Sequence, residues 1–268
     1  MFVATDPVIR QAEELYHSFE LAKLKAYQLR PGNPNQIVFS TFGKTVAARG
    51  SYVGNWVYGF AKEQIHALPQ IIQFFAETRT DFKLTISTLE ETQEMGRALI
   101  EQGFKPWMYH AKLYADLSEV DPSSFPSDIV VNPVDANRLD AFSEIMMEGW
   151  DIPREHWNEA IMNMRQRFTI PGVSLFLGGT NEYNMGGGML YVNEDTAYLA
   201  DAATVPSSRR IGCQMAVMAA RIAKAKESRC KYLFGCAYFR TASFRNMQRA
   251  GLMLASCDMT WYYQFEKI

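Results

Sequence analysis

The chain has 268 residues, 48% of them hydrophobic and 21% charged, and this composition supports a packed core and excludes general disorder. Its 27 Lys and Arg residues and 29 Asp and Glu residues give a formal net charge of −2, whereas nucleic-acid binders usually carry a basic excess. At roughly 150 residues per domain, the length predicts one large domain or two small ones.

The first half of the chain alternates between helical and extended patterns. Asp6-Pro7 predicts the start of a helix, with Asp6 as its cap. Ser87–Glu90 has the form of a capping box and predicts a helix that ends at Gly103. The other elements predicted in this half are strands at 37–39, 45–47, 56–58, 83–86 and 109–114 and a helix at 68–77.

A segment rich in proline and serine, Asp121–Asp128, separates the two halves. Such a segment cannot hold a helix or a central strand, so we predict domains at residues 1–120 and 129–268. The elements predicted after it are strands at 129–131, 173–177, 189–192, 197–205, 232–238 and 260–265, and helices at 136–149, from 153, at 209–226 and at 242–249. The helix at 209–226 has an apolar pattern that predicts burial of Ile211.

The two halves have similar helix endings. Leu99–Phe104 and Met247–Leu252 each combine the end of a helical pattern, a glycine and a large apolar residue. The two glycines lie 148 positions apart, about half the chain, as a duplicated domain would give.

Targeting, membrane and metal signals are not visible in the sequence. Met1–Pro7 lacks the pattern of a signal peptide, and no run of about 18 apolar residues occurs. The four cysteines form no CxxC pair, and the four histidines have no metal-ligand spacing. We therefore expect a cytoplasmic protein with reduced thiols and with no metal, membrane or nucleic-acid partner.

The most informative segment is Val205–Ala216, where a strand ends, a short loop follows and a helix begins. The start of a helix presents unpaired backbone N–H groups and a partial positive charge. Gly212 lets a ligand approach the backbone closely, and Arg209 and Arg210 add positive charge. These features indicate a pyrophosphate cradle, with a capped helix and a solvated arginine pair as the alternative.

This segment resembles the acetyl-CoA-binding motif of the GCN5-related N-acetyltransferases, the GNAT superfamily. The matching residues are Val205, Pro206, Arg209 and Gly212. Gln214 stands where Gly or Ala is usual, but it fits a subgroup with Gln at this position, and Arg221 and Ala225 fit the extension of that subgroup's motif. Ser243–Leu252 resembles the second motif of the same subgroup, with Leu252 in place of Phe.

The resemblance implies an α/β fold with two GNAT-like domains, each a mixed central sheet with helices on both faces, the first being a degenerate copy. It implies that the strands at 197–205 and 232–238 run parallel and splay apart around the pantetheine arm of acetyl-CoA, the co-substrate. The first half lacks a glycine after its strand at 56–60 and carries Glu63 there, so we expect no CoA in it. The implied cofactor-binding residues are Ala203, Thr204, Val205, Arg209, Arg210, Ile211, Gly212, Cys213, Gln214, Met215, Ser243 and Asn246.

The resemblance also implies the reaction, which is direct attack of an amine on the thioester of acetyl-CoA. Met247 occupies the position where many GNAT enzymes have a tyrosine acid, so Tyr238 is the candidate acid. Asp201, Glu148 and Asp151 are the candidate bases. The acceptor is expected to be a small-molecule or peptide amine, and the protein a monomer or a homodimer.

Several alternatives stay open at this point. The N–H of Val205 is the candidate oxyanion donor, and the leaving thiolate could depart without an acid. Cys213 at a helix N-terminus could have a lowered pKa and act as a nucleophile. Gly186–Gly188 precedes a strand, which favours a bend or bulge with free backbone near the acceptor. The chain could also be a CoA-binding pseudoenzyme that acts as a sensor, or a non-catalytic interaction module.

Overall fold

The computed structural model describes residues 5–29, 38–50, 55–90, 92–125 and 128–266. Its contacts divide the chain into two units, one with the residues up to Lys112 and those from Ala255 onward, the other with Leu113–Leu254. The last strand, which the limits 129–268 placed in the second domain, therefore packs with the first unit. Residues 1–4, residue 37 of the first predicted strand and residues 126 and 127 of the predicted linker lie outside the described residues.

Seven helices and eleven strands are found in the described ranges. The helices are α1 Asp6–Gln28, α2 Leu68–Ala76, α3 Gln93–Glu101, α4 Leu139–Gly149, α5 Trp157–Phe168, α6 Cys213–Glu227 and α7 Ala242–Arg249. The strands are β1 Val38–Phe42, β2 Thr45–Arg49, β3 Trp56–Phe60, β4 Phe82–Ile86, β5 Lys105–Asp116, β6 Val130–Pro133, β7 Val173–Gly179, β8 Asn184–Asn193, β9 Thr196–Thr204, β10 Tyr232–Tyr238 and β11 Met253–Tyr263. Within these ranges, no helix is both long and apolar enough to cross a membrane.

The sheet of the first unit has the strand order β1-β2-β3-β4-β11. Strand β3 runs parallel to β4, and β11 runs antiparallel to β4. Phe75 and Phe82 stack in the core with ring centroids 3.9 Å apart, and Phe104 meets Phe82 edge-on. Trp261 of β11 is buried in the same core, so the last strand supplies part of the packing of this unit.

The sheet of the second unit has the order β6-β7-β8-β9-β10, with the end of β5 beside β10. Neighbours from β6 to β9 are antiparallel, and β9 runs parallel to β10. A Cβ on Gly187 would meet Phe142 of α4, whereas a Cβ on Gly188 would meet Arg221 of α6. Since successive strand residues face opposite sides, α4 and α6 cover opposite faces of the sheet. The predicted mixed sheet with helices on both faces is confirmed for this unit.

The predicted helix endings are confirmed. Gly103 and Gly251 both have φ of 90°. The following residue returns its N–H to the carbonyl five positions back in each case, from Phe104 to Leu99 and from Leu252 to Met247, both at 3.0 Å. This is the hydrogen bond of a Schellman motif, which a glycine in the left-handed region permits.

Three predicted helix starts were wrong, and two more, near Pro153 and at Ala136, fall on short 3₁₀ turns that precede α5 and α4. Helix α1 has Thr5 at its cap position, with Asp6 already in the first turn. Ser87–Glu90 forms a turn, and α3 begins at Gln93, where Thr92 accepts a hydrogen bond from the N–H of Met95. A Ser/Thr-x-x-Glu pattern suits a tight turn as well as a helix start, and here the turn is formed.

The third displaced helix start concerns α6, which begins at Cys213 rather than Arg209. Arg210 has φ of 70° and Gly212 has φ of 91°, and left-handed residues cannot continue a right-handed helix. Ile211 between them is 53% exposed, so its predicted burial was wrong.

A buried polar cluster connects three elements of the first unit. Asp258 of β11 is completely buried, and its carboxylate lies 2.5 Å from Lys112 Nζ of β5. The other carboxylate oxygen accepts hydrogen bonds from Thr88 and Ser256. Glu13 of α1 lies 3.4 Å from the same ammonium group. The fully buried Asp258 and the partly buried Glu13 thus compensate one buried lysine.

We expect Asp258→Ala to lower the free energy of unfolding by about 3 kcal/mol, because removing one partner leaves a buried charge poorly compensated. Glu77→Ala is the control: Glu77 pairs with Arg49 at 2.5 Å but is exposed, and its loss should cost less than about 1 kcal/mol. Urea titration of both variants measures the difference. Equal losses would contradict a stabilising role for the buried cluster.

Candidate functional site

The candidate site begins with a β-bulge in β9. Gly188–Leu190 of β8 lies opposite Leu199–Ala202 of β9, which has one residue more. Ala200 and Asp201 therefore face Met189 alone. Such an extra residue bends the strand that carries it and increases its local twist.

The parallel ladder between β9 and β10 ends at this bulge. Leu199 opposite Gly235 is its last pair, although β9 continues to Thr204 and β10 to Tyr238. The two strands are fully described, and beyond the bulge they form no further ladder pairs. This is the parallel, separating pair of strands that the family resemblance implied.

The bulge also determines which backbone groups of β9 face the gap. The N–H of Val205 donates to the carbonyl of Met185 at 2.9 Å, so it is directed toward β8. In an antiparallel ladder the direction alternates, so Ala203 is also directed toward β8, whereas Ala202 and Thr204 face away from it. Ala203 and Val205 are among the implied cofactor-binding residues, but the backbone groups that face away from β8 are those of Ala202 and Thr204, and the Val205 N–H is not available to an oxyanion.

The end of β9, the end of α4, the start of α6 and helix α7 border a cleft of about 670 Å³. Ten of the twelve predicted cofactor-binding residues line it, and Val205 and Ile211 do not. The ten are Ala203, Thr204, Arg209, Arg210, Gly212, Cys213, Gln214, Met215, Ser243 and Asn246. Sequence reasoning missed Gly149, Trp150, Ala202, Ser208, Thr241, Ala242 and Arg249, which also line it.

The start of α6 provides main-chain donors at one end of this cleft. The first intrahelical hydrogen bond runs from the N–H of Ala216 to the carbonyl of Gly212 at 3.0 Å. The N–H groups of Cys213, Gln214 and Met215 precede it and have no intrahelical partner, as in the first turn of any helix. The helix dipole adds partial positive charge here. The arrangement fits a phosphate group.

Arg209 and Trp150 connect the cleft wall to neighbouring backbone. The Arg209 guanidinium donates to the carbonyl of Thr204 at 3.3 Å and to that of Gly149 at 3.1 Å. Trp150 Nε1 donates to the carbonyl of Ala202 at 3.2 Å. These bonds hold the end of α4 against the free part of β9. In the sequence, Gly149 and Trp150 could have been found only as a glycine-tryptophan pair at the end of the helix predicted at 136–149.

Gln214 joins α6 to α7 across the cleft. Its side-chain carbonyl accepts a hydrogen bond from Asn246 at 2.5 Å, and its amide nitrogen lies 3.4 Å from Ser243 Oγ. Arg249 donates a hydrogen bond to the side-chain carbonyl of Asn246 at 2.8 Å. The residue that departs from the usual family pattern therefore orients two predicted ligand contacts.

One polar atom in the cleft lacks a partner. Thr204 Oγ1 is buried and forms no hydrogen bond with any described residue. A buried hydroxyl without a partner loses its hydration without compensation, and a ligand with a polar group could restore that bond.

The predicted catalytic side chains do not line the cleft. Asp201, in the bulge, forms an ion pair with Arg167. Tyr238 is half-buried, and burial, followed by the neighbouring Cys236, raises the pKa of its hydroxyl. Glu148 and Asp151 are exposed beside the cleft residues Gly149 and Trp150.

Cys213 is not suited to nucleophilic attack. Its thiol is buried and lies 3.8 Å from the carbonyl of Gly178. Burial raises its pKa to about 11, so desolvation exceeds the effect of the helix N-terminus. The predicted lowering of this pKa was wrong.

Gly186–Gly188 serves packing rather than free backbone. A Cβ on Gly186 would lie 2.9 Å from the Cys213 sulfur, and Cβ atoms on Gly187 and Gly188 would crowd α4 and α6. The run lies inside β8, next to the bulge of β9. The three glycines pair with both neighbouring strands, so the predicted free backbone was wrong, and the bulge next to them has its extra residue in β9. The glycines bring the two helices close to the sheet.

Comparison with known proteins supports the fold. No protein-family model matches the chain, and no curated protein matches its sequence. Among solved structures, a GCN5-related N-acetyltransferase from Kribbella flavida is similar with a TM-score of 0.66 at 14% identity, covering 95% of this chain and 96% of that one. A tandem GNAT protein from the clavulanic acid biosynthesis pathway has a TM-score of 0.63 at 12% identity, covering 100% and 98%.

A further GCN5-related N-acetyltransferase, from Sphaerobacter thermophilus, has a TM-score of 0.59 at 13% identity and covers 78% of this chain and 71% of that one. At such identities the similarity concerns the fold. The chain has the GNAT fold in a tandem arrangement, as the resemblance of its motifs implied.

We expect Gln214→Ala to lower the free energy of unfolding by about 1 kcal/mol, because Asn246 loses its hydrogen-bond acceptor. Gln248→Ala, an exposed change on α7, is the control and should be nearly neutral. Urea titration measures both, and hydrogen exchange should show faster opening of α7 in Gln214→Ala alone. Identical behaviour of the two variants would contradict a stabilising role for the hydrogen bond between Gln214 and Asn246.

Proposed function

We propose that the chain is an acyl-CoA-dependent N-acyltransferase that moves an acetyl group from acetyl-CoA to an amine. The observation that carries this proposal is the gap between β9 and β10, which leads to the unpaired N–H groups at the start of α6. A pyrophosphate would bind those N–H groups, and the pantetheine arm would lie along the free edge of β9. The N–H groups of Ala202 and Thr204 would serve the arm or the developing oxyanion.

The site belongs to the second unit alone in this proposal. In the first unit, Phe60 of β3 pairs with Ile86 of β4, so the corresponding strands stay joined to their ends. The segment after β3 is a short 3₁₀ helix, Lys62–Ala67, with Glu63 in its first turn. A closed ladder and a carboxylate both disfavour a pyrophosphate-bearing ligand there. We expect one CoA per chain.

The chemistry needs a neutral amine and a departing thiolate. Asp201, Glu148 or Asp151 would accept the proton of the amine, directly or through water. Tyr238 would donate a proton to the sulfur, since its raised pKa keeps the hydroxyl protonated at neutral pH. The acceptor in this proposal is a small-molecule or peptide amine.

One observation favours a second candidate, a CoA-binding sensor without catalysis. Met247 occupies the position of the tyrosine acid in the resembled family. It is buried against Gly235, where an added Cβ would lie 2.8 Å from the Met247 sulfur. A thioether has no ionisable proton, so Met247 cannot serve as the acid. Binding of acetyl-CoA without any transfer to a panel of amines would favour the sensor.

Acetyl-CoA binding is tested with two variants at one position. Asp and Asn both tolerate the left-handed region better than most residues, so Gly212→Asp and Gly212→Asn impose similar strain and differ in charge. We expect Asp to weaken binding at least about tenfold relative to Asn, because its carboxylate repels the pyrophosphate. Calorimetry on the full chain measures affinity and stoichiometry. Equal affinities of the two variants, or two CoA per chain, would contradict the assigned site.

The acid is tested with Tyr238→Phe, which removes only the hydroxyl. We expect kcat to fall about 10²-fold with acetyl-CoA affinity unchanged, because the proton matters only as charge builds on the sulfur. Release of free CoA thiol during transfer to an amine acceptor measures the rate. Tyr232→Phe, at the other end of β10, is the control. A drop below about threefold, with chemistry rate-limiting, would favour a site that needs no acid.

A further inference from the structure

Arg221 of α6 is the most deeply buried charged side chain among the described residues of the second unit, and it is only 1% exposed. Its Nη1 donates to two carbonyls, those of Met189 and Ala200, each at 3.2 Å. Its Nε donates to the carbonyl of Val217 at 3.3 Å on its own helix. Both carbonyls lie at the bulge: Met189 belongs to β8 and Ala200 to β9.

Packing alone does not explain why an arginine is buried at this position. Burial of a guanidinium carries a desolvation penalty, and apolar residues of similar volume often replace buried charges with no loss of stability. Burial lowers the pKa of Arg221 to about 10, and the charge of Asp201 acts in the opposite direction. What an apolar residue cannot supply is a pair of donors to carbonyls on two strands at once.

The neighbouring strand is adapted to this side chain. A Cβ on Gly188 would lie 2.9 Å from Arg221 Cζ and 3.0 Å from its Nε. Any residue larger than glycine at this position would therefore push the guanidinium away from the bulge. Gly188 is also the last residue of β8 before the register changes.

We propose that Arg221 is a positioning residue that holds the β9 bulge and thereby keeps the end of β9 apart from β10. The bulge is the point where the parallel ladder stops, so an arginine that fixes it also fixes the gap. Without the two hydrogen bonds, the bend at the bulge can relax while β9 keeps its register with β8, and the N–H groups of Ala202 and Thr204, which face away from β8, can pair with β10. The consequence for acetyl-CoA rests on the function proposed above, but the consequence for strand pairing does not.

The test compares Arg221→Met with Arg221→Lys in the full chain. Met fills a similar volume without donors, whereas Lys keeps a charge and can reach one or both carbonyls. We expect Arg221→Met to slow hydrogen exchange of the Ala202 and Thr204 amides at least about tenfold, because these amides become paired. Affinity for acetyl-CoA should fall at least about tenfold, and Arg221→Lys should restore part of both quantities.

A merely structural role would give a different pattern. The neighbouring variant Ile222→Val removes one buried methylene of α6 and should lower Tm without changing exchange at Ala202 or Thr204. If Arg221→Met behaves in the same way, with exchange and acetyl-CoA affinity unchanged, the proposal is overturned. If the wild-type chain binds no acetyl-CoA, the proposed function fails, and the exchange measurements still decide the role of Arg221.

A second variant covers the case in which Arg221→Met does not fold. Gly188→Ala keeps Arg221 and places a methyl group against its guanidinium, so it should displace the donors from the bulge and produce the same protection of Ala202 and Thr204. In an Arg221→Lys background the same alanine should have a smaller effect, since the slimmer side chain leaves space. Wild-type exchange in Gly188→Ala would overturn the proposal.

Discussion

The arrangement of the second unit depends on one extra residue in β9. Ala200 and Asp201 share a single opposing residue on β8, and the parallel ladder to β10 stops just before them. Because the strand bends there, its remaining backbone groups lose their neighbour on one side while keeping β8 on the other. The cleft, the main-chain donors that face it and the placement of α6 at its end all follow from this bend. At the same bulge, the buried Arg221 donates hydrogen bonds to one carbonyl of β8 and one of β9.

The first unit shows what happens when the extra residue lies elsewhere. In β3, Tyr58 and Gly59 face one residue of the parallel neighbour β4, and the ladder resumes with Phe60 opposite Ile86. The bulge therefore lies inside the parallel ladder instead of at its end. Gly59 adopts φ of 63°, and Thr45 donates to its carbonyl, so the distortion is absorbed locally. The two parallel strand pairs thus differ in whether their ladder continues to the ends of the strands.

Sequence reasoning succeeded where local signals decide the structure. The predicted limits of β10 and α7 agree with the observed ones, because a strand of apolar residues and a threonine cap define them locally. It failed where distant pairing decides. The direction of the Val205 N–H depends on its register with Met185, and one residue of error reverses which groups face the cleft. Assignment of β11 to the first unit depends on pairing with β4, more than 160 positions earlier, which no local pattern reveals.

Side chains that a motif assigns to a ligand can already have partners in the protein, and this changes what they contribute. Arg209 donates to two carbonyls, and Asn246 is held by Gln214. Such side chains order the wall of the cleft before a ligand arrives, which reduces the conformational entropy lost on binding. The direct donors to an anion are then the main-chain N–H groups at the start of α6, which any residue type supplies. Gln214 can therefore replace the usual small residue, since its N–H remains at the first turn while its side chain is directed toward α7.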